Sequence, residues 1–236
     1  MTSTVRSGSK ELTEYERSSF EMFGLSTDEI RRAESPTASL ARRIGGRAPL
    51  DPFGLDLALS DSVAPLLRAT VRVDVYGAEY IPRCGGGVLM MNRGFGVLEP
   101  TALTVAVMRE TQRRVRVVGA PTARGFGAVL RRFGGIASSA EDVGAALRAN
   151  HLVAIPLAPS WLGARAGTPP LELMQTVMSA PVLPVSVKPI GIFGAPIRGW
   201  RVSIGAPIAQ DTTTPVGDPL GAAELAEAVR IAVDNL

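Results

Sequence analysis

Few residues in this 236-residue chain are of types that do chemistry, so their placement carries the argument. Asn92, Arg93 and Glu99 fall in the stretch Gly86 to Pro100, GGVLMMNRGFGVLEP. An apolar run, Val88 to Met91, ends there at an amide, passes a turn holding Gly94 and Gly96, and reaches an acid at the start of a helical segment. A buried strand that delivers polar groups to a glycine-bearing turn at a helix N-terminus is a common way for α/β proteins to build a site. Arg93 beside Glu99 reads either as a structural ion pair or as an anion ligand. It cannot be a general base, because a guanidinium keeps its proton. Ser138 and Ser139 precede another helical stretch, where hydroxyls either cap the helix or hold an anion at its N-terminus. Ser160 and Trp161 follow a third apolar run, without the Gly-x-Ser-x-Gly frame of a hydrolase nucleophile. His151 is the single histidine and Cys84 the single cysteine, so no disulfide, no ordinary zinc site and no cofactor is expected.

The elements that must position these residues follow from hydrophobic periodicity. Residues 1–50 are polar and mixed in charge and read as an N-terminal helical, partly disordered extension. Within it Glu11 to Phe23 forms one candidate helix, and Ser26 with Glu29 makes a capping box for a second. Arg42, Arg43 and Arg47 flank a Gly-Gly pair and suggest a solvated linker. Residues 51–236 form the domain. DPFGLD, Asp51 to Asp56, leads into a helical pattern over Leu57 to Leu67, followed by alternating Val71, Val73 and Val75. Beyond the central strand the pattern predicts helix over Thr101 to Met108, strand over Val115 to Gly119, and helix over Gly125 to Phe133. A short strand at GGIAS then precedes a helix from Ala140 to Ala149, capped by Ser139 and facing inward through Val143, Ala146 and Leu147. LVAIPLAP reads as strand, Leu171 to Ser179 as helix, APVLPVSVKPIG as a strand pair broken by prolines, and WRVSIGAPI as a further strand. The last helix places Leu225, Val229, Ala232 and Leu236 on one stripe. Strands alternating with helices predict an α/β fold, a mostly parallel central sheet covered by helices on both faces.

Composition bounds the partners. The hydrophobic fraction of 46% supports a sizeable core, and the net charge is only +3. Lys10 and Lys188 are the only lysines, so arginine supplies the basic charge. Arginine binds phosphate in bidentate fashion, although an arginine-rich composition also follows from a GC-rich genome. No nucleic-acid partner is expected. The N-terminus lacks the apolar core of a leader, and no apolar run approaches the ~20 residues of a membrane span. These features imply a cytoplasmic location, with a peripheral place on the inner membrane as the alternative.

The order of segments resembles the PlsC-like glycerolipid acyltransferase family, over roughly residues 51 to 210. The resembling parts are an approach helix, a strand ending in Gly77, the segment AEYIP, a glycine-rich turn, and the apolar strand ending in Asn92. APVLPVSV, Ala180 to Val187, matches the family's fourth motif well. In the family the first motif is Asn-His followed by an aspartate; the histidine is the general base and the acid orients it. Here Arg93 stands at the histidine position and Glu99 at the acid, one residue farther along. The second motif falls near LRRFGGIASSAED, where Ser138 and Ser139 stand in place of an expected phosphate-binding arginine. The third becomes IPLAPSW, in which Pro156 remains and Leu157 and Ala158 replace a glutamate and a glycine, with Ser160 and Trp161 nearby.

The resemblance implies an acyltransferase-fold pseudoenzyme of lipid metabolism. It would bind an acyl chain, a lysophospholipid or acyl-CoA, or work through a protein partner, with Asn92, Arg93, Ser138, Ser139, Ser160 and Trp161 as its binding residues. Two alternatives stand beside it: an active acyltransferase with an atypical site, in which Glu99 is the base, and a purely structural or regulatory module. The family's basic surface near the groove would correspond to Arg109, Arg113, Arg114, Arg116, Arg124, Arg131 and Arg132, which face the inner leaflet in that reading.

Overall fold

The computed structural model describes residues 50–92, 98–120, 126–157, 170–191, 199–210 and 215–236. The elements run in the order α1 (Leu57–Thr70), β1 (Val73–Tyr76), a 3-10 turn (Ala78–Tyr80), β2 (Gly87–Asn92), α2 (Leu98–Thr111), β3 (Val115–Val118) and α3 (Phe126–Arg132). They continue with β4 (Gly135–Ile136), α4 (Ala140–Arg148), β5 (Leu152–Leu157), α5 (Leu171–Val177), β6 (Val182–Ile190), β7 (Gly199–Ile204) and α6 (Pro219–Asp234). The strands form one sheet in the order β1-β7-β6-β2-β5-β3-β4. Strands β6, β2, β5, β3 and β4 are parallel. β7 runs antiparallel to β6, and β1 is parallel to β7, so these two oppose the rest. The expected α/β fold with a mostly parallel sheet is therefore present.

Alternation of side chains along the strands creates two cores. Val88, Met90, Val153 and Ile155 face one side, where α4, α5 and α6 cover them. Leu89, Met91, Leu152 and Ala154 face the other, covered by α2 with Leu67 of α1 at its margin. β2 lies between β5 and β6, and Val88 to Met91 have no solvent exposure. A strand buried on both faces reads as a continuous apolar run, and this is why β2 was evident from sequence.

Three expectations change in detail. The proline-bearing stretch is one nine-residue strand, β6, and not a broken pair. Pro184 turns toward the end of β7, where its carbonyl accepts from Gly205 N–H at 2.9 Å and the ladder stops at Ile204. Pro189 lies opposite Trp200, whose N–H is donated instead to Arg72 on the far side. Neither missing N–H interrupts a ladder, which is the condition for proline inside a sheet. The stripe of α6 runs through Ala222, Leu225, Ala226, Val229 and Val233; Ala232 and Leu236 are only half-buried. Val71 is the C-cap of α1 and not part of the following strand.

Candidate functional site at the strand ends

In open α/β sheets a ligand crevice forms outside the carboxyl ends of two neighbouring strands whose connections leave to opposite faces. β2 and β5 are such a pair: the chain leaves β2 for α2 on one face and leaves β5 for α5 on the other. Asn92 lies in register with Leu157, so the ends of the first and third motifs meet there. Met91 pairs with Val185 of β6, which adds the fourth motif to the same place.

Asn92 is held by the backbone of β6. Its Nδ2 donates to Val187 O at 2.9 Å, and Val187 N–H donates to its Oδ1 at 2.5 Å. The carboxamide thus continues the β2–β6 ladder one step past the last backbone pair. This two-point contact holds the end of β2 against β6. Glu99 stands in the first turn of α2 with only 8% of its surface exposed. Its Oε2 is buried and has no hydrogen-bond partner among the described residues. Burying a carboxylate oxygen without a donor costs several kcal/mol, typically ~1–3 or more, and the α2 N-terminus offsets part of that through its dipole.

Ser138 and Ser139 are at the same end of the sheet but not at the crevice. They follow β4, three strands from β2 in the order β2-β5-β3-β4, a separation on the order of 14 Å at the usual strand spacing. Ser139 Oγ accepts from Asp142 N–H at 3.1 Å and donates to Asp142 Oδ2 at 2.9 Å, which caps α4. Ser138 is exposed. Arg93, Ser160 and Trp161 lie outside the described residues.

His151 is at the opposite end. It immediately precedes β5, whereas Asn92 aligns with the last residue of that strand, so about 20 Å of extended chain separates them. Phe53 meets the imidazole edge-on, with ring centroids 5.5 Å apart. Burial, reinforced by Arg116, lowers the histidine pKa to about 4, against a smaller opposing effect of Asp51.

The segment around Phe53 went unrecognised as a structural device in the sequence. Asp51 Oδ1 accepts from Phe53 and Leu55 N–H at 2.9 and 2.8 Å, and its Oδ2 pairs with Arg116. The Arg116 guanidinium also lies 5.4 Å from the Phe53 ring centre. Asp56 then caps α1 by accepting from Leu59 N–H at 2.9 Å. An aspartate before Pro-x-Gly is a turn signature, and it was the available signal.

The arginines expected beside the groove are elsewhere. Arg116 is buried in β3, only 2% exposed, and bonded to Asp51. Arg113 donates to Pro82 and Gly85 O at 2.5 Å and to Asn150 O at 2.7 Å, tying together the segments that precede β2 and β5. Arg114 pairs with Asp61 of α1, and Arg131 and Arg132 end α3 just before β4. These positions are at the amino ends of the parallel strands, opposite Asn92, because helices in a parallel sheet run back and finish where the next strand begins. Arg124 lies outside the described residues.

Comparison with solved structures gives a likeness of fold. The fold is similar to the crystal structure of the 1-acyl-sn-glycerophosphate (LPA) acyltransferase PlsC from Thermotoga maritima, at a TM-score of 0.48 and 12% identity, over 75% of this chain and 82% of that one. No protein-family model matches the sequence, and no curated protein does. Among the described residues no group of His, Cys, Asp and Glu could hold a metal ion, and no helix is long and apolar enough to cross a membrane.

Proposed function

We propose that this chain is a degenerate acyltransferase-like protein that binds an acyl-bearing lipid where β2, β5 and β6 end and does not transfer the acyl group by a histidine mechanism. The observation that carries the reading is the position of the only imidazole in the sequence. It sits at the amino end of β5, about 20 Å from Asn92 and on the far side of the sheet's core. A general base must come within hydrogen-bond reach of the proton it takes, and His151 is also held neutral and weakly basic by burial. The lipid class rests on the ordered segments that resemble the family, above all Asn92 with APVLPVSV, which the sheet brings side by side.

The test pairs binding with turnover. Purified protein is incubated with acyl-CoA and lysophospholipid, and released CoA is followed beside a thermal-shift titration with each ligand. Stabilisation by the lipid without CoA release is expected, since loss of a positioned base removes about 10²–10⁴-fold of rate. No thermal shift with any acyl ligand would defeat the binding half of the reading.

A second reading, transfer with Glu99 as base, is favoured by its buried Oε2 that lacks a described partner. It requires CoA release by the wild-type chain that Glu99→Ala abolishes and Glu99→Asp partly keeps.

A further inference from the structure

Among the described residues four polar or charged side chains are buried: Asp56, Glu99, Arg116 and Ser186. Asp56 caps α1 and Arg116 pairs with Asp51, so the fold itself accounts for these two. Glu99 belongs to the second reading above. Ser186 is left over. It is 2% exposed, and its Oγ has no hydrogen-bond partner among the described residues. A buried hydroxyl without a partner costs stability, and folded proteins keep few of them.

The place of Ser186 in the sheet says what the hydroxyl can meet. Side chains alternate along β6, so Ser186 points away from Val185 and Val187, which pack in the core under α2, and shares its face with Pro184 and Lys188. On that face Gly205 lies opposite Pro184, and a Cβ on it would stand 3.5 Å from Leu236 Cδ1, just beyond the end of α6. Lys188 is exposed. Ser186 is thus the first position past the contact with Leu236 and the last before solvent. Met91 pairs with Val185, so the next step sets Ser186 beside Asn92, about 4.8 Å away across the strands. The Asn92 carboxamide is engaged with the backbone of Val187 and does not bond the serine. On the other side Ser203 of β7 is in register with Ser186 and half-buried, and no bond joins the two hydroxyls.

We propose that Ser186 is a specificity-determining residue of the crevice, its hydroxyl donating to the ester carbonyl of the bound acyl lipid. The inference rests on the acyl-binding reading and adds the group by which an acyl lipid is told from an alkyl one. In an acyl lipid the oxygen nearest the apolar chain is the carbonyl. A hydroxyl at the border between core and solvent, beside Asn92, therefore meets that atom first. A site with a donor set aside for one oxygen discriminates against the analogue that lacks it, because the donor is then left unpaired.

The experiment compares two lysophospholipids of equal chain length and headgroup, one 1-acyl and one 1-O-alkyl, by calorimetric titration of the full chain below the micelle concentration. Wild type should bind the acyl lipid about tenfold more tightly. Ser186→Ala should remove that preference by weakening the acyl lipid alone, and Ser186→Cys, with a similar shape and only a weak donor, should do the same. Without ligand, Ser186→Ala should melt no lower than wild type, since the hydroxyl it loses has no partner there. Ser203→Ala, one strand farther from Asn92, should keep the preference. Equal affinity of wild type for the two lipids, a preference that survives Ser186→Ala, or equal weakening of both lipids by that variant would overturn this inference alone. So would a ligand-free melt several degrees lower, which would give the hydroxyl a structural bond. Binding of neither lipid by wild type would defeat the acyl-binding reading, and this inference with it.

Discussion

Asn92 and His151 show how one side chain can be given a different task by its place on a strand. Asn92 substitutes for backbone at the end of β2, so Asn92→Ala leaves the N–H and carbonyl of Val187 without their partners. The expected loss is about 2 kcal/mol, seen as a lower midpoint in urea at unchanged slope, and Asn92→Asp should recover only the acceptor half. His151 is packed on Phe53 and faces Arg116, Arg113 and Arg114, with Asp51 the one opposing charge. Its folded pKa of about 4 lies below the ordinary 6.5, so the unfolded chain takes up the proton first as pH falls. Its contribution to stability is complete above pH 6.5 and lost as pH falls toward 4, and His151→Gln should flatten that part of a melting-temperature profile. The amide at position 92 was legible as a site residue because it ends a continuous apolar run. Its bond to Val187 was not, because nothing local in the sequence pairs residues so far apart. The same limit hid the Asp51–Arg116 contact.

At the scale of elements, the fold was readable wherever one periodicity held for several residues. α4 is the clearest case, with Ser139 as cap and Val143, Ala146 and Leu147 buried as the pattern predicts. Direction was not readable: the reversal of β7 and β1 leaves no trace in alternation, and prolines that look disruptive sit where β6 owes no hydrogen bond. Arginine content was plain from composition, but the placement of Arg113, Arg114, Arg131 and Arg132 at the amino ends of β3 and β4, away from Asn92, needs the strand order. The turn after β1 shows how closely that order is packed. Gly77 has φ +75, and a Cβ there would collide with Ile204 O of β7. Gly77→Ala should therefore destabilise the domain by roughly 1–3 kcal/mol, and Gly85→Ala, at the same φ with open space around it, should cost less. Asp51→Ala tests the other end of the sheet: it takes the carboxylate from a guanidinium buried in β3, an expected loss of about 3–5 kcal/mol.

For the molecule as a whole, the sheet order fixes when its parts can assemble. Among the described residues β1 is the first strand, and its ladder partner is β7, the last, with Val73 opposite Trp200. Contacts between residues so distant in sequence form slowly, because loop closure precedes any return from the pairing. During synthesis β2, β5 and β6 can zip together while β1 still waits for a strand not yet made. A polypeptide stopped after Ile190 would carry an unpaired β1 and leave one edge of β6 open, a template for intermolecular pairing. Such a truncation should accumulate as aggregates even though it keeps Asn92, Glu99 and the whole β2–β5 crevice, and refolding of the full chain should be slow and strongly concentration-dependent in yield.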